Sequence, residues 1–169
     1  MKAYPEGSYP ISEFMRDLAD EITEIVKKVK TTSADGKPAY GVRVFLQEVP
    51  DIPLDAKPED LPFPYAIVRV YNATTNEEED LYTWLVETQI EVGIRYDDPN
   101  NQGHEPMLDI LQTIADRFTW NRRLAHKYTA QQDMRLELQE SDVLQPPYYF
   151  GSVGIQFRIP KNEKEGKFC

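Results

Sequence analysis

Cysteine is all but missing from this chain of 169 residues; the single one is Cys169. No internal disulfide can form, which points to a reducing compartment. Histidine is nearly as scarce. His104 and His126 have no second histidine or cysteine at ligand spacing, so solvated surface positions are expected for both and no metal site. Bases are outnumbered, 19 against 29 acids, for a formal net charge of -10. That balance argues against nucleic-acid phosphates or anionic lipid as the main binding partner. No apolar run approaches the length of a membrane span, and Met1–Pro10 has no signal-peptide core. A soluble protein made inside the cell is expected, and the sequon Asn72-Ala73-Thr74 is then chance. A Gly-rich phosphate loop, a nucleophile elbow and a Ser/His/Asp constellation are also lacking.

What chemistry remains is weak. Asp97-Asp98 has the composition of an acid/base pair, yet adjacent acids before Pro99 are better suited to a turn. Glu165-Gly166-Lys167 with Pro50-Asp51 is superficially similar to a nuclease signature, but the Glu-x-Lys element falls in a charged terminal stretch, not on a strand. Glu77–Asp80 has the charge to hold a cation, although acids at a loop tip are ordinarily solvated. No catalytic residue, metal or cofactor is expected.

What is present centres on Leu81–Tyr96, LYTWLVETQIEVGIRY. Its even positions, from Tyr82 and Trp84 through Val92 to Tyr96, are all apolar, aromatic or β-branched, the period-2 signature of a strand with one buried face. Among the odd positions Glu87, Gln89, Glu91 and Arg95 are polar, but Leu81 and Leu85 are not. At about 3.3 Å per residue the run reaches roughly 50 Å, well beyond a typical strand. Its second half reads as a sheet strand over a core. Its first half reads as an arm with apolar groups on both sides, which needs a partner surface.

The rest of the chain is ordered around this run. Ser12 is placed to cap a helix to about Lys30, with Phe14, Leu18, Ile22, Ile25 and Val29 as its apolar stripe. A turn at Thr31–Pro38 precedes a first strand through Val42, Val44 and Leu46. Residues 49–64 hold Pro50, Pro53, Pro58, Pro62 and Pro64, which excludes helix and central strand and suggests an interaction segment. Tyr65–Tyr71 is a strand and Asn72–Asp80 an acidic loop, so that 65–88 forms a long projecting hairpin. Pro106 sits in the first turn of a second helix to about Thr119. The basic stretch Trp120–Ala130 stays ambiguous. Strands through Met134–Leu138 and Val153–Ile159 close the order, and the tail 161–169 is expected to be loose. The sum is a single domain of the α+β class. A mostly antiparallel sheet of about five strands has two helices packed on one face, and a long β-hairpin projects from it.

The block from Pro64 through YAIVRVYNATTNEEEDLYTWLVETQIEVGIRYDDPNNQGHEPMLDILQTIADRF resembles the tail-terminator, or tail-completion, proteins of long-tailed bacteriophages. So does Gln145-Pro146-Pro147-Tyr148-Tyr149-Phe150 leading into GSVGIQFRIP. The resemblance implies a structural virion protein without enzymatic activity. Its copies would form a ring, commonly of six, that caps the tail tube, stops its growth and joins it to the connector or neck of the head. DNA would pass through the lumen without specific binding. On this reading Glu77, Glu78, Glu79 and Asp80 face the lumen or a neighbouring ring, and Leu81, Trp84 and Leu85 meet an adjacent subunit. Other neck, head-completion, tube or baseplate subunits are close alternatives. From different classes stand an acidic adaptor that mimics DNA and a small hydrolase.

Overall fold

The computed structural model describes residues 9–76, 80–139 and 146–160, with only the backbone at Asn76 and at 80–82. The first helix, α1 (Ile11–Val26), follows directly from its periodicity: Phe14, Leu18, Ile22 and Val26, one turn apart, are completely buried. Each such side chain contributes about 1.5–3 kcal/mol by leaving water. The helix starts one residue before the expected Ser12 cap. Pro10 holds the N-cap position in extended conformation, and its carbonyl accepts the N–H groups of Glu13 and Phe14, both at 3.1 Å. The predicted turn after α1 is the end of a small hairpin, β1 (Lys30–Thr32) with β2 (Pro38–Tyr40). Gly36, at φ +84°, makes that turn, where a side chain would be strained.

The main sheet is built from β3 (Arg43–Leu46), β4 (Tyr65–Asn76), β5 (Asp80–Arg95), β6 (Arg123–Leu124), β7 (Tyr128–Leu138) and β8 (Tyr148–Pro160). Their spatial order is β3-β4-β5-β8-β7-β6, antiparallel throughout except for β3 with β4. The second helix, α2 (His104–Trp120), packs beside α1 on one face of this sheet. The even positions of β5, from Val86 to Ile94, point into that helix-covered core together with Val153, Ile155, Phe157 and Ile159 of β8. The molecule is therefore an α+β sandwich of two layers, as the alternation in the sequence implied.

The parallel pairing of β3 with β4 was not legible, yet it explains the prolines. Parallel neighbours cannot be joined by a tight turn and require a long crossover. The segment 47–64 is that crossover, and proline suits it because it needs no ladder hydrogen bonds. Gln47 starts it at φ 64°, and its side-chain amide then completes the strand edge. Val70 N–H donates to Gln47 Oε1 at 2.6 Å, and Gln47 Nε2 donates to Val70 O at 3.4 Å. On its return the segment buries Phe63 on the face away from the helices, with ring centroids 4.9 Å from Tyr148, 5.2 Å from Tyr65 and 5.8 Å from Phe150. This end of the expected polar face is thus a second, aromatic core. Gly93 lies under the Tyr65 ring, where a Cβ would stand 2.6 Å from it.

The projecting hairpin is shorter than the sequence suggested. From Thr83 to Arg95, β5 lies between β4 and β8 and is a central strand, because β8 extends to Pro160 beside it. Conversely, β4 continues through the predicted loop to Asn76, with a register shift after Val70. Only the end of the ladder, closing at the Asn76–Asp80 pair, runs past the last described residue of β8. The expected loose tail, 161–169, lies outside the described residues.

Candidate assembly surfaces

The proposed interface residues separate by parity. Trp84, on an even position, is half-buried against the core opposite Ile159. Leu85 points to the other face, also half-buried, between Thr74 of β4 and Arg158 of β8. The side chains of Leu81 and Asp80, together with Glu77, Glu78 and Glu79, lie outside the described residues.

From Leu85 the open face continues as a polar ladder across the strands. Glu87 accepts from Asn72 Nδ2 at 2.8 Å and from Gln156 Nε2 at 3.0 Å. Gln89 Nε2 donates to Ser152 Oγ at 2.8 Å. Glu91 takes the Tyr71 hydroxyl at 3.2 Å and lies 3.0 Å from Arg69 Nε. Desolvation and the nearby Glu91 charge push the Tyr71 phenol above its usual value. Tyr71, Glu87, Gln89, Ser152 and Gln156 line a shallow trough of about 570 Å³ that reaches Asp133, Arg135 and Glu137 on β7. Glu87 and Gln89 are held by neighbours on the adjacent strands, whereas Arg135 and Glu137 pair with each other along β7.

The ambiguous stretch after α2 resolves into a tight hairpin. Ala125 and His126 both adopt positive φ, 51° and 58°, and Lys127 N–H closes the turn on Leu124 O at 3.0 Å. A two-residue turn with both centres left-handed is ordinarily Asn-Gly, so the sequence offered no turn signal here. The hairpin brings Arg122, Arg123, His126 and Lys127 beside Arg158 around a hollow of about 370 Å³. Its bases are partly tethered: Lys127 Nζ donates to Glu13 at 2.9 Å and lies 3.6 Å from Asp17, while Arg122 Nε donates to Ala130 O at 2.9 Å.

The sequence candidates for chemistry take structural roles. Asp98 accepts the N–H groups of Asn100 and Gln102, both at 3.0 Å, and so shapes the loop before α2; Asp97 accepts from Arg95 Nε at 3.2 Å. His104 opens α2 and His126 stands exposed in its turn. Among the described residues no three His, Cys, Asp or Glu side chains converge as a metal site, and no helix is long and apolar enough to cross a membrane. No protein-family model matches the chain, and no curated protein is significantly similar to it.

Proposed function

We propose that this chain is a structural subunit of a bacteriophage tail, a terminator whose copies form a ring that caps the tail tube and joins it to the neck. The observation that carries the reading is the placement of Leu85: a leucine set among polar groups on the open face of a central strand, next to a hairpin end that bears four acids in sequence. A ring neighbour seated there would cover Leu85 and hold the hairpin end at the ring's contact or lumen. The self-bonded polar face and the net charge of -10 suit a passage through which DNA moves without sticking. The residues that act are those of assembly, not of catalysis.

Antibody labelling of intact particles tests this. An antibody against the chain should mark the head–tail joint, and particles lacking its reading frame should carry tails of unregulated length. Label on the tail tip or tube wall, or tails of normal length without the chain, would overturn the terminator reading.

A further inference from the structure

Among the described residues, strand β7 is an open edge over most of its length. The short β6 pairs only with Tyr128 and Thr129, Arg122 just before it bonds Ala130, and a register shift against β8 falls between Ala130 and Met134. From Met134 to Leu138 it pairs with β8 on one side, and no described strand pairs with it on the other. Gln139 N–H donates to Phe150 O across β8, so the odd residues 135 and 137 also turn their backbone groups towards β8. Met134, Leu136 and Leu138 therefore direct theirs outward. Natural edges are usually blunted by charges, lysine above all, or by proline or a bulge. This five-residue stretch has no lysine, proline or bulge, and its two charges are of opposite sign. Its side chains also divide by parity: Met134 reaches Thr119 of α2, and Leu136 and Leu138 on that same face remain 40% and 39% exposed. Arg135 and Glu137 lie on the open face, Nε to Oε1 2.6 Å apart, with the arginine side chain 81% exposed.

We propose that a second copy of this chain docks on this edge, β7 against β7 in antiparallel register centred on Leu136. The sequence Met134-Arg135-Leu136-Glu137-Leu138 is complementary to itself when reversed. In this register Leu136 faces Leu136 of the second copy and Met134 faces its Leu138, and these pairs, with outward backbone groups, exchange both hydrogen bonds. Arg135 falls opposite Glu137 of the second copy, in the non-hydrogen-bonded position where cross-strand side chains come closest. Sliding the register by two residues, the smallest slip that keeps the faces matched, sets Arg135 against Arg135 or Glu137 against Glu137. The charges thus select one register, and the exposed leucines become covered beside α2 of both copies. Such a contact is isologous and closes at two copies. It does not depend on the ring reading: it leaves Leu85 and the hairpin end free for another neighbour. A dimer without rings would sink the ring, and rings without the dimer would sink this proposal.

Sedimentation of the purified full chain provides the test, with circular dichroism confirming the fold of each variant. The wild type should be half-dimeric at or below about 0.1 mM, a weak but specific affinity. R135E alone and E137R alone should each weaken the dimer by about tenfold or more, since each homodimer then opposes like charges. Mixing the two variants should restore dimers, because the two acids on this stretch of the R135E chain then face the two arginines of the E137R chain. L136P should abolish dimers while keeping the fold, as its N–H points away from β8. A wild type that stays monomeric, single variants that dimerise as well as wild type, a mixture that fails to recover, dimers that persist in L136P, or open-ended oligomers in place of dimers would each overturn the proposal.

Discussion

Ala125 and His126 hold left-handed backbone conformations that cost non-glycine residues free energy, about 1 kcal/mol for each in such positions. Replacing the pair by Asn-Gly should therefore raise stability by about 1 kcal/mol, read as a higher urea midpoint. Two residues further on, Tyr128 is completely buried, with its hydroxyl donating to Asp17 Oδ2 at 3.0 Å. Burial first, and then that hydrogen bond, push the phenol well above its ordinary value of 10.0. A proton that the folded chain holds more tightly than the unfolded one stabilises fully below the ordinary value. That contribution disappears as the pH rises through the folded value. Stability should thus decline above about pH 10. Tyr128→Phe should lose about 1 kcal/mol at neutral pH and flatten the alkaline decline, because Asp17 keeps Lys127 at 3.6 Å. An unchanged alkaline slope in the variant would assign the decline to other groups.

At the scale of elements, the proline-rich segment changes its meaning between sequence and structure. Read locally, it is an exposed interaction loop; folded, it is a crossover whose end presses Phe63 into an aromatic cluster. Phe63→Ala should cost about 3 kcal/mol by thermal or urea denaturation, the penalty of emptying a packed aromatic site. A cost below about 1 kcal/mol would mean the segment is not a cover. Both helices and the even face of β5 were legible because burial imposes a period on contiguous residues, and nothing else in the chain competes with it. The parallel β3–β4 pair was not, since pairing partners leave no local mark; only the crossover's length hinted at it. The left-handed turn at Ala125-His126 was hidden because its residues are the wrong types for it. The pairing of β8 with the first half of β5, from Thr83 opposite Pro160 onward, was hidden too, and with it how little of the hairpin among the described residues runs past β8. Leu85 stands out in the sequence as an apolar residue on the polar parity, and in the fold it is half-buried on the open face.

Across the whole molecule, one strand carries two kinds of apolar side chain, and they should fail in different ways. Val92 is 1% exposed on the helix-covered face, where a carboxylate would have no solvent and no compensating charge. Val92→Glu should therefore cost several kcal/mol, about half or more of a typical domain's stability, and yield little folded protein. Leu85 is different. It lies opposite Arg158 on a face already lined by Glu87, Gln89 and Gln156, so a glutamate there keeps water and a nearby base. Leu85→Glu should leave the free subunit's thermal stability within about 1 kcal/mol of wild type. The ring makes the opposite demand, because a neighbour that buries position 85 must also strip water from the new carboxylate. Folded, soluble Leu85→Glu chains that give no rings by electron microscopy, and particles with tails of irregular length, are the expected result. Normal rings on tails of normal length would show that the neighbour sits elsewhere, and would remove the observation on which the terminator reading rests.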